Sequence, residues 1–212
     1  MLASLRQAYL RKRLGPPIVV VSGLPRSGTS MMMKMLGAGG MDLVTDNIRT
    51  ADEDNPKGYF ELEQVKELDK ADDKSWLQKH RGKVVKIICF LLKNLPDGHF
   101  YKVIFMHRDL GEIIASQNKM LDRRGESDKR GDDARMVELY NTHLRKVSFM
   151  LKDRPVFETL NVDHRDVISD PLTQAKRVSS FLGIDLDTAK MAQAVDPALY
   201  RNRGETNRGT TT

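Results

Sequence analysis

The stretch Ile18-Val19-Val20-Val21-Ser22-Gly23-Leu24-Pro25-Arg26-Ser27-Gly28-Thr29-Ser30-Met31-Met32-Met33-Lys34-Met35-Leu36 decides the fold. Four β-branched residues in a row, bounded by Gly15-Pro16-Pro17 and by Gly23, read as a buried strand. A helical pattern follows from Gly28 to Leu36 and is stopped by Gly37 and Gly39-Gly40. Gly23 and Gly28 allow a tight turn between them, and Gly28 lets the backbone approach a ligand closely. Successive N–H groups there converge on one spot, which the helix dipole makes attractive to phosphate or sulfate. The segment from Gly23 to Ser30 is therefore expected to hold an anion.

Working outward, further apolar runs alternate with helical patterns. Lys83 to Ile88 (KVVKII), Lys102 to Met106 (KVIFM) and Val156 to Val162 (VFETLNV) read as strands. A helix is expected after each of the first two, the clearer being Leu110 to Leu121, and Asp132 to Leu151 reads as a long amphipathic helix. Pro171 to Leu182 is a helix with Asp170 as N-cap, ended by Gly183. Strands alternating with helices imply βαβ units and a central, mostly parallel sheet covered by helices on both faces: an α/β fold of P-loop type, in three layers. The expected division is a basic N-terminal helix over 1–16, one domain over 17–200 and a polar tail over 201–212. Asp122 to Asp133 lacks periodicity and reads as a mobile surface loop.

Composition narrows the function. At 212 residues the chain has room for one substantial core. The net charge of +6 suits an anionic ligand, yet the basic residues are interspersed with acids, so no nucleic-acid partner is expected. The single cysteine, Cys89, excludes a disulfide framework and a CxxC metal site and reads as a small buried hydrophobe. No apolar run reaches membrane-spanning length, and the N-terminal basic residues come after the apolar ones, the reverse of a secretory signal. A cytoplasmic protein without a membrane span is expected.

The anion loop departs from the pattern G-x-x-x-x-G-K-[ST] in one respect. Thr29 stands where that pattern has Lys, and a basic residue, Arg26, lies inside the loop instead. Without the lysine that reaches β- and γ-phosphates, a triphosphate is disfavoured. At Pro25-Arg26-Ser27-Gly28-Thr29-Ser30 the chain resembles the PAPS-dependent sulfotransferase family, whose loop P-[KR]-S-G-T-[ST] it matches at all six positions. The resemblance implies that this loop cradles the phosphosulfate of 3′-phosphoadenosine 5′-phosphosulfate (PAPS), with no metal. Arg108 comes directly after the strand YKVIFM and His107, and Ser116 eight residues later, a spacing the family uses to grip the 3′-phosphate. The segment VDHRDVISDPLTQAKRVSSFLGI is similar to the family's late strand and helix. A rival reading makes Asp109 the magnesium-holding acid of a P-loop kinase using ATP. A second rival is a nucleotide-binding relative without catalysis.

Catalysis is less legible. Cytosolic members of the family carry a K-T-H pattern; here Lys86 takes the lysine position and Ile88 the place of the histidine. Lys86 is the candidate for stabilising the leaving group. Other branches use a glutamate after the loop helix, for which Glu61, at the expected start of a helix, is the candidate base, ahead of Glu53 and Glu63. The alternative for Glu61 is ordinary dipole compensation in a first helical turn. The five histidines do not cluster and read as surface or capping residues, with His107 next to Arg108 the one to watch. Met31-Met32-Met33 reads as core. No Trp occupies the loop to stack on adenine, and Trp76 reads as a partly buried anchor or a substitute for that contact. The tail's Arg201, Arg203 and Arg208 stand where relatives have a basic nucleotide-closing loop. The expected acceptor is a small molecule or glycan with a hydroxyl or amine, its pocket built around Asp46 to Glu61 and Asp122 to Asp133; oligomeric state is left open.

Overall fold

The structure, a computed structural model, describes residues 2–46 and 60–196. Five strands, β1 (Ile18–Gly23), β2 (Leu43–Val44), β3 (Val84–Lys86), β4 (Tyr101–His107) and β5 (Phe157–Asp163), pair in the order β2-β3-β1-β4-β5. Every pairing is parallel. The helices are α1 (Leu2–Leu14), α2 (Thr29–Ala38), α3 (Glu63–Lys66), α4 (Leu110–Arg123), α5 (Asp133–Asp153), α6 (His164–Ser169), α7 (Pro171–Leu182) and α8 (Thr188–Gln193). The fold is the expected α/β one: a parallel sheet flanked by helices. None of the described helices is long and apolar enough to cross a membrane.

Period-two alternation divides the interior into two cores. Ile18 and Val20 of β1 join Val103 and Phe105 of β4 on one face, under α4 and α5. Val19 and Val21 join Ile104 and Met106 on the other, where Met32, Met33, Met35 and Leu36 of α2 cover them, with Val178 of α7 and Met191 of α8. A strand buried on both faces needs apolar side chains at every position, which is why Ile18 to Val21 reads as an unbroken run. Met32 and Met33 are fully buried, as a core reading requires.

Several boundaries differ from the sequence reading. β3 ends at Lys86, and the next element is a 3₁₀ turn, Cys89–Asn94, rather than an α-helix. Pro96 explains this, since it biases Leu95 to the extended conformation that Leu95 adopts, leaving too little chain for a longer helix. The loop expected over 122–133 begins after Arg123, because α4 runs to that residue. It also contains a 3₁₀ turn, Ser127–Lys129, where Ser127 Oγ donates to Asp122 at 2.7 Å and Arg130 pairs with the same carboxylate. β2 is two residues long and α8 six, too short for periodicity to reveal.

Among the described residues, the edge strand β5 has only β4 beside it. Its outward carbonyls are met by side chains: Gln7 donates to Phe157 O at 3.0 Å and Arg177 to Asn161 O at 3.2 Å. Covering an edge in this way blunts its tendency to recruit another strand. Arg11 of α1 adds an ion pair to Glu158 at 3.3 Å.

Lys102 breaks the apolar pattern of β4. It is 2% exposed, and its ammonium donates to Phe181 O at 2.5 Å and Leu182 O at 2.9 Å, the last carbonyls of α7. A cation there meets orphan carbonyls at the negative end of the helix dipole. Burial lowers its pKa, with Glu158 opposing that shift. Lys102→Ala strips both carbonyls of their donor and opens a cavity, and is expected to cost about 2–4 kcal/mol in urea unfolding. Lys102→Met, which restores the stem but not the donor, recovers part of that loss.

Candidate functional site

Register brings the site together. Val21 of β1 lies beside Lys86 of β3, and Gly23 beside Met106 of β4, so the loop after β1, Lys86 and the His107-Arg108 corner share the carboxyl edge of the sheet. Open α/β sheets bind ligands at that edge.

The loop is built on left-handed backbone. Arg26 has φ 70° and Gly28 φ 95°, and Ser27 N–H closes the turn on Leu24 O at 3.2 Å. Gly28 is the N-cap of α2 and brings no side chain to the first-turn N–H groups, which leaves them to an external acceptor. A Cβ on Gly28 would stand 2.5 Å from His164 Cδ2, so the loop rests directly on that ring. Ser27 is buried and its hydroxyl turns back under the loop, 2.4 Å from where a Cβ on Gly23 would sit. Thr29 is buried, while Pro25, Arg26, Thr29 and Ser30 border a cavity.

Arg26 links the two expected anion subsites. Its Nε donates to Ser116 Oγ at 2.9 Å, and its carbonyl accepts from Arg108 at 3.1 Å. Arg108 Nε also pairs with Glu112 Oε2 at 2.9 Å, one helical turn along α4, and Arg165 reaches Glu112 Oε1 at 3.3 Å. Ser116 is buried, so it sits beneath the rim that the eight-residue spacing suggested, not on it. Glu112 and Arg165 carry no motif; only an (i, i+4) pairing of Arg108 with an acid hinted at Glu112. Asp109, the magnesium candidate of the kinase reading, is the N-cap of α4, and its Oδ1 accepts the Glu112 N–H at 3.0 Å.

Lys86, Ser30 and Glu61 form the second half of the site. Lys86 Nζ donates to Ser30 Oγ at 3.3 Å and lies 3.9 Å from Glu61 Oε1. Glu61 is not in a helix: Leu62 is the N-cap of α3 and Glu63 fills its first turn, so dipole compensation belongs to Glu63. Backbone bonds hold Glu61 instead, its carbonyl accepting from Thr45 Oγ1 at 3.1 Å and Asp46 N at 3.2 Å. Arg26, Ser30, Glu61, Lys86 and Ile88 line one cavity of about 500 Å³. Glu53 and Arg201, Arg203 and Arg208 lie outside the described residues.

Of the remaining candidates, Trp76 packs against the core in a 3₁₀ turn, edge-on to His80. Cys89 is buried, its thiol pushed up to about 12 chiefly by that burial, with Sγ 3.3 Å from His143 Nε2. His107 Nε2 lies 2.9 Å from Asn161 Oδ1. His164 departs from the surface-or-cap expectation: Asp163 supplies the cap, and the imidazole turns inward to 7% exposure beneath Gly28.

Among solved structures the chain is similar to sulfotransferase STF1 from Mycobacterium tuberculosis H37Rv, with a TM-score of 0.55 and 18% identity over 93% of this chain and 79% of that one. It is also similar to the sulfotransferase domain of the Synechococcus PCC 7002 olefin synthase, with a TM-score of 0.51 and 16% identity over 90% of this chain and 89% of that one. The chain thus has the sulfotransferase fold. No family model and no curated protein sequence matches it.

Burial, with Arg108 second, lowers the His164 pKa to about 4, against smaller opposing effects of Glu112 and Asp163. The unfolded histidine titrates near 6.5. Above that value neither state is charged. As pH falls towards 4, the unfolded chain takes a proton that the folded one resists, and stability drops by up to about 3 kcal/mol. Urea unfolding between pH 7 and pH 4.5 is expected to show this slope, and His164→Phe to remove about one proton's worth of it.

Proposed function

We propose that this protein is a sulfotransferase that moves a sulfuryl group from PAPS to a hydroxyl or amine acceptor. The observation that carries the proposal is the meeting of Arg26, Ser30, Lys86 and Glu61 around one cavity at the mouth of an uncapped helix. Those groups suit the donor: a Gly28 whose missing side chain leaves α2's amides available, one basic residue in the loop, and a further arginine a bond away. When bound, PAPS supplies the activated sulfuryl group.

In this mechanism the amides of the loop, with Pro25, Arg26, Ser27, Gly28, Thr29 and Ser30 shaping it, hold the phosphosulfate. Ser27 contributes through its backbone, because its hydroxyl is turned inward. Arg108 and Ser116 hold the 3′-phosphate, with Glu112 fixing the Arg108 guanidinium. Lys86 stands against Ser30 and offers its charge to oxygen developing negative charge as the donor bond breaks. Glu61 accepts the acceptor's proton; with Ile88 where cytosolic relatives carry histidine, it is the carboxylate that lines the cavity beside Lys86. The kinase alternative is weakened because the Asp109 carboxylate serves as a helix cap.

Calorimetric titration is expected to give tight binding of adenosine 3′,5′-bisphosphate without metal, and weaker binding of ATP with or without magnesium. A preference for ATP with magnesium would reject the donor. Glu61→Gln is expected to abolish sulfuryl transfer while leaving bisphosphate affinity within about threefold, since it removes a proton acceptor and no donor contact. Near-normal turnover in that variant would remove Glu61 from the base role. Bisphosphate binding by the unaltered protein, with no transfer to any acceptor, would favour a non-catalytic relative.

A further inference from the structure

The cavity has a wall that the transfer chemistry does not use. Gln117, Met120 and Arg124 of α4 and its C-cap recur at intervals of three and four residues, so they form one stripe facing the cavity. Leu62, Val65, Ile88 and Leu91 add apolar lining around Gln117, the uncharged polar residue of this wall, while Lys66 and Arg124 are its charged members. Its side chain is held in one orientation: the Tyr140 hydroxyl of α5 donates to Gln117 Oε1 at 3.0 Å. Tyr140 is 7% exposed, and burial raises its pKa, so the phenol keeps the proton it donates. With Oε1 engaged, the Gln117 amide nitrogen has no partner among the described residues and remains a donor at the cavity wall.

We propose that Gln117 selects the acceptor, and that the acceptor is a largely apolar hydroxyl compound carrying a second, carbonyl-type oxygen that receives the Gln117 amide N–H. The proposal rests on the sulfuryl-transfer reading for the role of the ligand, though not for its binding. A donor set among apolar walls discriminates strongly, because a ligand that lacks the matching oxygen leaves the amide desolvated and unpaired. Tyr140 is a positioning residue: it holds the amide so that nitrogen rather than oxygen meets the ligand. Ser116, the residue before Gln117, is turned to Arg26 instead, so one helical turn serves the donor loop on one side and the acceptor wall on the other.

Two probes of one bicyclic shape test this: 7-hydroxycoumarin, with a hydroxyl and a lactone carbonyl, and 2-naphthol, with the hydroxyl alone. Fluorescence titration of the full chain, with and without saturating adenosine 3′,5′-bisphosphate, is expected to find 7-hydroxycoumarin bound about tenfold more tightly. Gln117→Leu brings the two probes level. Tyr140→Phe narrows the gap to about threefold by releasing the amide, and neither variant changes the bisphosphate Kd, which also verifies folding. Equal affinities in the unaltered protein, no saturable binding of 7-hydroxycoumarin, or a gap that survives Gln117→Leu overturns the proposal. A gap that depends on Gln117 in a protein that ignores the bisphosphate supports the proposal and rejects the PAPS donor, so the two readings fail separately.

Discussion

The parallel pairing of β1 with β3 on one side and β4 on the other is the constraint on which the site depends. A strand enclosed by two neighbours and covered on both faces has no freedom of register, because a one-residue slip would exchange the side chains of the two cores. That fixed register puts Gly23, Lys86 and His107 at one edge. The chain must then leave β1 through a turn tight enough to start α2 at once. Left-handed backbone at Arg26 and Gly28 is how it does so, and the same turn starts α2 without a side-chain cap on its first amides.

A second layer of organisation is electrostatic. Three arginines meet around the loop and α4: Arg26 is held by a hydroxyl, Arg108 by a carbonyl and a carboxylate, and Arg165 by that same carboxylate. Glu112 is buried and carries two of them, which offsets its desolvation. Two guanidinium groups on one carboxylate leave a net positive charge, so the cluster remains able to attract an anion while its geometry is already set. Burial is the main force that disfavours a proton on His164 beneath the loop, and the like charge of Arg108 adds to it.

What the sequence revealed depended on the range over which each feature is determined. The strand Ile18 to Val21, the loop to Ser30 and the helix Pro171 to Leu182 are set by neighbours in the chain, and local pattern exposed them together with the α/β class. Arg108 and Ser116 were visible through spacing, but their partners were not: that Ser116 would meet Arg26 is a contact across 90 residues. The inward turn of His164 is not legible in the sequence, because a histidine at a helix start looks like a cap and its contact with Gly28 is set by the fold. Lys102 was hidden in a run that otherwise read as plain strand, because the helix end that satisfies it lies 79 residues on.

Glu61 shows the same limit within the candidate site itself. Its residue type was the only local cue, and the helix expected around it begins two residues later. What aims it at Lys86 is the backbone bonding of residue 61 to Thr45 and Asp46, just beyond β2, a strand too short to announce itself. Since β2 pairs with β3, and Lys86 ends β3, the two residues reach one another through the sheet rather than through any motif. In the proposed mechanism, a base supplied in this way does not need the histidine that would come after Lys86 on its own strand, and Ile88 lines the same cavity as an apolar residue instead. The departure from the cytosolic pattern at Ile88 and the arrival of Glu61 from the neighbouring segment are therefore two aspects of one arrangement.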